Sequence, residues 1–131
     1  MPTYRIRDAA ELLGVSDDTL RRWVEAGRLH ARLDDGRQVI DGAELAAFAR
    51  ERADEPDPNA GRLTPTSARN RFTGLVTHVT KDTVMAQVEI QAGPHRIVSL
   101  ISREAADELG LEPGVLAIAA VKSTNVVVEV P

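Results

Sequence analysis

A proline-rich stretch in the middle of the chain constrains the fold more than any other feature. Residues 53–65 contain three prolines and a glycine but almost no side chain that a core could bury. This composition is typical of an extended connecting segment, so a domain boundary is expected there. The sequence therefore predicts two domains, at residues 1–52 and 66–131, joined by a flexible linker at residues 53–65.

Both predicted domains are small. The chain has 131 residues, and a domain of roughly 65 residues buries little apolar surface by itself, so association between copies of the chain is expected. The sequence has no cysteine, which excludes a disulfide framework and a thiolate metal site. The net charge of −4 argues against wholesale coating of nucleic acid. Any contact with DNA must therefore come from a local basic face.

Neither a membrane span nor a signal sequence is visible. No apolar run reaches the roughly 20 residues that a spanning helix needs, and the start Met-Pro-Thr-Tyr-Arg has no apolar core. We therefore expect a cytoplasmic protein with no membrane partner.

Apolar periodicity in residues 1–52 predicts two short helices followed by a third. The first covers residues 7–13 and ends at Gly14, which can adopt the left-handed conformation of a helix cap. The second begins after the N-cap Ser16 and ends at Gly27. Because only a short turn separates these two helices, they are expected to form a helix-turn-helix.

A hairpin is predicted between the second and third helices. Residues 28–40 alternate apolar and polar side chains around Asp35-Gly36, a strong signal for a two-residue hairpin turn. Asp41 and Glu44 then have the spacing of a capping box at the start of the third helix. The hairpin would be the wing of a winged helix-turn-helix, a mainly α domain.

The second helix carries a polar stripe that has two interpretations. Asp18, Arg21, Arg22 and Glu25 follow helical spacing opposite the apolar face. One interpretation is an ordinary solvated surface with ion pairs between Asp18 and Arg22 and between Arg21 and Glu25. The other is contact with DNA, which we favour because more arginines follow in the predicted wing. Asp17 and Asp18 count against DNA contact, since carboxylates repel phosphates.

Residues 4–52 resemble the winged helix-turn-helix of the excisionase and MerR-type DNA-binding families. The resemblance is carried by Ala9-Ala10-Glu11-Leu12-Leu13-Gly14-Val15-Ser16, by Thr19-Leu20-Arg21-Arg22-Trp23, by Gly27-Arg28-Leu29 and by two wing arginines. In this fold the second helix enters the major groove and the wing lies along the backbone. The resemblance implies double-stranded DNA as a partner, bound by Ser16, Thr19, Arg21, Arg22, Arg28, Arg32 and Arg37.

The second half of the chain reads as a small β domain. Strands are expected at residues 71–80, 84–90, 96–101, 115–121 and 126–130, with one short helix between the third and fourth. This is the count of an OB-like five-stranded barrel, so the whole chain is expected to be α+β. The last two strands are apolar on both faces, which a thin barrel cannot bury internally. Their outer face is therefore expected to contact another subunit in a homo-oligomer.

Three groups of polar residues lie at separate positions along this domain. Ser67-Ala68-Arg69-Asn70 opens it, Ser102 directly precedes the helix, and Lys122-Ser123-Thr124 comes just before the last strand. The backbone N–H groups that begin the helix would be free to point at an anion. Each group alone could be only a surface cation, a helix cap or a polar turn. Together they offer hydroxyls, amides and two cations, all donors, which suits a tetrahedral dianion.

The order of these motifs resembles the molbindin or TOBE domain, a five-stranded OB-like unit that binds molybdate and tungstate. The helix closing with Leu109-Gly110 and the turn at Pro113-Gly114 add to the resemblance, which covers residues 66–131. It implies a molybdate or tungstate oxyanion as the ligand, not a metal cation. The implied ligand residues are Ser67, Ala68, Arg69, Ser102, Lys122 and Ser123. Many members of the family have a second hydroxyl where this chain has Ala105, so one contact is missing or is made by a backbone N–H.

The two resemblances together predict a molybdate-responsive or tungstate-responsive transcriptional regulator. Two alternatives stay open: an intracellular molybdate buffer or storage protein, and an excisionase-like DNA-binding protein whose barrel only assembles subunits. No enzyme is predicted, since the sequence has neither a Walker motif nor a pairing of nucleophile and base.

Overall fold

The computed structural model describes residues 2–53 and 65–131. The chain divides into two compact units, each with its own hydrophobic cluster. Most of the predicted linker, residues 54–64, lies outside the described residues. Within the described ranges, no helix is long and apolar enough to cross a membrane.

The N-terminal unit combines helices with a small antiparallel sheet of order β1-β3-β2. Its elements are β1 (Thr3–Arg5), α1 (Ile6–Leu13), α2 (Asp17–Glu25), β2 (Arg32–Asp34), β3 (Arg37–Asp41) and α3 (Gly42–Ala53). The predicted helices and hairpin are confirmed. Strand β1 was not predicted, because three residues are too few to show an alternating pattern.

Local signals explain the turns of this unit. Gly14 ends α1 with φ 69°, and the Ser16 hydroxyl caps α2 by accepting the N–H of Thr19 at 3.2 Å. Asp35 and Gly36 both have positive φ, at 50° and 74°. A two-residue hairpin with this backbone matches the right-handed twist of its strands, so β2 and β3 form the predicted wing.

The predicted capping box at the start of α3 is wrong. The Asp41 carboxylate accepts two N–H bonds from Arg32, both at 3.2 Å, and the Glu44 carboxylate accepts the backbone N–H of His30 at 2.9 Å. Both carboxylates therefore accept hydrogen bonds from residues distant in sequence, and neither caps the first turn of the helix.

The core of the N-terminal unit lies between the helices and β3. Trp23 packs at its edge, with its ring centroid 5.0 Å from that of Phe48. The guanidinium of Arg28 lies 5.2 Å from the Phe48 centroid, and that of Arg52 lies 5.2 Å from the Trp23 centroid. The aromatic rings are thus part of the core and are not offered for stacking on bases. The buried residues that form this core cluster are Ile6, Ala9, Ala10, Leu20, Leu29, Ile40, Leu45 and Phe48.

The C-terminal unit is a curled antiparallel sheet of order β6-β5-β4-β7. Its elements are β4 (Asn70–Lys81), β5 (Met85–Ala92), β6 (His95–Ser102), α4 (Arg103–Glu108) and β7 (Leu116–Val121), followed by a 3-10 turn at Ser123–Asn125. Four predicted strands and the helix are confirmed. The predicted fifth strand is wrong for the single chain, because residues 126–130 pair with no strand.

Strand β4 curls the sheet by pairing with different neighbours along its length. Its first half pairs with β7 and its second half with β5, and the register shifts at a bulge between Val76 and His78. Gly74 permits the close approach at the crossing, since a Cβ there would lie 2.4 Å from the carbonyl oxygen of Gln91. The two remaining edges, β6 and β7, face each other across a gap.

The gap leaves the inner face of the sheet partly uncovered. Val88 and Ile90 of the central strand β5 are buried, whereas Ile101 of β6 and Ala119 of β7 are only half-buried. Ala119 packs against the core, but the side chain of its pairing partner Phe72 is 41% exposed. An open apolar cavity of about 530 Å³ lies between the two edge strands. The curled sheet is therefore an unclosed barrel.

Candidate functional site

The first and third polar motifs meet at one end of the C-terminal sheet. Asn70 at the start of β4 is the pairing partner of Val121 at the end of β7, and its side-chain Nδ2 donates to the Val121 carbonyl at 3.1 Å. The residues just before Asn70 and just after Val121 therefore lie next to each other at the same end of the sheet. The structure brings together five of the predicted ligand residues: Ser67, Ala68, Arg69, Lys122 and Ser123.

Most donors of this cluster are exposed. The side chains of Ser67, Lys122 and Ser123 make no hydrogen bond or ion pair with any residue that the structure describes. Arg69 uses one guanidinium nitrogen, Nη1, to donate to the carbonyl of Thr66 at 3.2 Å. The arrangement presents two cations and two hydroxyls that remain available to an anion.

Thr66 is a participant that sequence reasoning missed. Its hydroxyl accepts the backbone N–H of Ala68 at 3.2 Å, and its carbonyl accepts from Arg69. The Ala68 N–H, one of the predicted ligand groups, is thus engaged within the loop. The available signal was a threonine two residues before the donor, which is the spacing of a hydroxyl-closed turn.

Ser102 caps α4, as expected, but the amides near it are largely occupied. Its hydroxyl accepts the backbone N–H of Ala105 at 3.1 Å, and the N–H of Arg103 donates to the carbonyl of Val84 at 2.9 Å. The expectation that the first amides of α4 are free is therefore wrong for these two. The Ala105 N–H is also not available to replace the missing hydroxyl contact.

Ser102 lies at the opposite end of the sheet from the other predicted ligand residues. It pairs with Met85 at the start of β5, beside the end of β4, where Lys81 pairs with Ala86. Strand β4 has 12 residues, which at 3.3 Å per residue gives a strand at most about 36 Å long, with the two groups of residues at its opposite ends. A single chain therefore does not bring Ser102 to Arg69 and Lys122.

The surroundings of Ser102 differ electrostatically from the Arg69 end. The backbone N–H groups of Met85 and Val84 donate to Asp82 and lower the pKa of its carboxyl. The hydrogen bond from Lys81, at 2.6 Å, lowers the pKa of Asp107. Both carboxylates are ionised at neutral pH, but Lys81 and Arg103 lie beside them, so the charges around Ser102 are largely balanced.

The predicted DNA-binding residues of α2 fall into two groups. Ser16, Thr19 and Arg22 form a hydrogen-bonded row, with 3.0 Å between the two hydroxyl oxygens and 3.2 Å from Arg22 Nη2 to Thr19 Oγ1. Arg21 instead lies 3.6 Å from the Asp18 carboxylate. The predicted ion pairs of Asp18 with Arg22 and of Arg21 with Glu25 are wrong. Arg22 donates to Thr19 instead, and Arg21 lies beside Asp18.

The arginines after α2 differ in whether their side chains are held by neighbouring groups. Arg28 is held over the aromatic rings of Trp23 and Phe48, and Arg32 is held by Asp41. Arg37 is exposed on the wing and makes no ion pair with a described residue. The wing therefore offers Arg37 as its most available cation.

Comparisons with known proteins match the two units separately. Residues 66–128 match the model of the TOBE domain, and residues 3–53 match that of a helix-turn-helix domain. Molybdenum-pterin-binding protein 2 of Clostridium pasteurianum is 41% identical over 63 residues, which are 47% of this chain and 93% of that protein. These 63 residues are nearly the whole relative but only half of this chain.

Solved structures give matches of similar extent. A molybdate-binding protein from Sporomusa ovata is 30% identical, with a TM-score of 0.49, over 50% of this chain and 98% of that one. The cytoplasmic molybdate-binding protein ModG, solved with molybdate bound, is 39% identical, with a TM-score of 0.48, over 57% of this chain and 52% of that one.

Proposed function

We propose that this chain, which belongs to the TOBE domain family and carries a helix-turn-helix domain ahead of its TOBE domain, is a molybdate-responsive transcriptional regulator. In this proposal the C-terminal unit binds molybdate or tungstate, and the N-terminal unit binds double-stranded DNA in the cytoplasm. The observation that carries the proposal is the meeting of Arg69 and Lys122, two exposed cations, at one end of the β4–β7 pair.

The chemistry of this cluster favours a fully deprotonated oxyanion. Arg69, Lys122, Ser67 and Ser123 can all donate hydrogen bonds, and no carboxylate lies among these residues. Hydrogen phosphate carries a proton that needs an acceptor, whereas molybdate and tungstate do not. Sulfate also lacks that proton, so its exclusion would depend on the size of the completed site. Tungstate should bind nearly as well as molybdate.

We propose that Ser102 joins this cluster from a second copy of the chain. It is the one predicted ligand residue that lies at the far end of its own sheet. Its hydroxyl oxygen accepts the N–H of Ala105, but its hydroxyl hydrogen can still donate to an anion. Shared sites of this kind would make oxyanion binding depend on assembly.

The C-terminal segment provides a physical means of assembly. Val127, Val128 and Val130 are 85%, 84% and 89% exposed and pair with no strand of their own chain. The unclosed barrel, in turn, has two unpaired edges and an apolar cavity between them. We propose that residues 126–130 of one chain enter this gap in another as the missing fifth strand.

The alternation of the segment fits such a position. In an extended strand, Val126, Val128 and Val130 share one face, while Val127 and Glu129 share the other. The all-valine face would cover the half-buried inner residues of the edge strands. Exchange of the segment between two chains would close both barrels symmetrically, and the homo-oligomer would carry more than one DNA-binding unit.

Calorimetric titration of molybdate into the purified protein tests the ligand assignment. We expect saturable binding of molybdate and tungstate, with hydrogen phosphate failing to compete at the same concentration. If molybdate produces no heat of binding and no thermal protection of the protein, the oxyanion function is refuted. Binding of molybdate together with no affinity for any duplex DNA would instead support a molybdate buffer.

A further inference from the structure

The two adjacent arginines of α2 have different environments. Arg21 Nη1 lies 3.6 Å from a carboxylate oxygen of Asp18, so its charge is partly compensated. Arg22 has no carboxylate partner among the described residues, and its Nη2 donates to the hydroxyl of Thr19 at 3.2 Å. Only Arg22 is therefore oriented by a neutral group and keeps an uncompensated charge.

The hydroxyl that orients Arg22 is itself held in place. Thr19 Oγ1 lies 3.0 Å from Ser16 Oγ, and the backbone N–H of Thr19 donates to the same Ser16 oxygen at 3.2 Å. Threonine is β-branched, so its χ1 has few accessible values. The helix cap therefore positions Thr19, and Thr19 positions the guanidinium before any partner is bound.

Helical geometry places Arg22 on the side of α2 that faces away from the core. Leu20 is fully buried and marks the inner face of the helix. With 3.6 residues per turn, Arg22 lies about 200° around the axis from Leu20, whereas Arg21 lies only about 100° around it. A duplex that receives the outer face of α2 would meet Arg22 directly, and it would meet Arg21 from the side.

We infer that Arg22 is the base-reading residue of α2, that its target is a guanine in the major groove, and that Thr19 is its positioning residue. The inference rests on the proposed DNA-binding function. One N–H of the guanidinium is used on Thr19, and the others can donate in parallel to the O6 and N7 acceptors of guanine. Adenine presents a donor beside its single acceptor at this edge, so the same pair of donors does not fit it.

Selection of binding sites from a random duplex pool tests the inference. The protein should enrich sites with a guanine at one position of each half-site. Arg22→Lys keeps the charge for the phosphates but loses the paired donors, so discrimination at that position should fall by about 5- to 150-fold. Arg50→Lys, at an exposed position of α3, is the matched control and should bind DNA as the wild type does. Arg21→Lys changes another predicted DNA contact, so it can alter the affinity for all sequences alike but should keep the guanine preference.

Substitutions of Thr19 separate positioning from folding. Thr19→Val keeps the branched shape but removes the hydroxyl, and it should weaken the guanine preference. Thr19→Ser restores the hydroxyl and should restore the preference, with circular dichroism checking that all variants are folded. Equal guanine preference in the wild type and Arg22→Lys, or its loss in Arg21→Lys, would overturn the inference. A wild-type protein that binds no duplex would overturn the DNA-binding proposal itself.

Discussion

Substituting Val128 by aspartate is expected to turn the assembled protein into monomers and to abolish molybdate binding at the same time. Under our proposal, Val128 lies on the face of the C-terminal segment that enters the apolar gap of another chain. Moving a carboxylate from water into such a gap without a partner costs about 3 kcal/mol or more. In the monomer Val128 is 84% exposed, so its replacement should leave the single chain folded.

Glu129→Gln is the matched control for this substitution. It changes the charge of the same segment by one unit but lies on the opposite face of the extended strand. Sedimentation at micromolar concentration should show an oligomer for the wild type and for Glu129→Gln, and a monomer for Val128→Asp. A monomeric wild type, or an oligomer that survives Val128→Asp, would show that this segment does not hold the chains together.

Removing either cation of the proposed site should weaken molybdate binding by about 10- to 150-fold. Lys122→Ala and Arg69→Ala each delete a charge-assisted donor, which contributes roughly 1.5 to 3 kcal/mol. Arg96→Ala removes the same charge from the same unit, but Arg96 lies away from both ends of β4 and is already paired with Glu89. Calorimetry should therefore give Arg96→Ala nearly wild-type affinity, and unchanged affinity in both site variants would refute the site.

Mixed assemblies test whether the site is shared between chains. Ser102→Ala and Lys122→Ala proteins should each bind molybdate weakly when pure. Coexpression of the two variants should recover some sites of wild-type affinity, because one site in a mixed pair then has Ser102 from one chain and Lys122 from the other. If pure Ser102→Ala binds as the wild type does, Ser102 is not a ligand residue.

The local features of this fold could be predicted because their causes are local. Gly14, Ser16 and the Asp35-Gly36 turn each determine the backbone of the few residues around them, and the structure has them as predicted. Glu44 shows the limit of such reasoning. Its spacing from Asp41 indicated a capping box, but its carboxylate bonds to His30, which is 14 residues away.

The fifth strand and the position of Ser102 depend on pairing between distant segments. The valine-rich composition of residues 126–130 favours a strand, but a strand also needs an edge to pair with, and that edge cannot be read from composition. The order of the three polar motifs gives no information about which end of the sheet each occupies. The strand register gives this information, because Asn70 pairs with Val121, whereas Ser102 pairs with Met85.

The central claim is that molybdate controls binding to DNA. Its most direct test is the affinity for a selected operator at one fixed salt concentration, measured with and without saturating molybdate. We expect the affinity to change by about 5- to 150-fold, the usual range for linked sites, because a ligand shared between chains would order the chain at Ser67, two residues after the end of the predicted linker. The change should be lost in Lys122→Ala at the same molybdate concentration. Equal operator affinities with and without molybdate in the wild-type protein would contradict the regulator assignment.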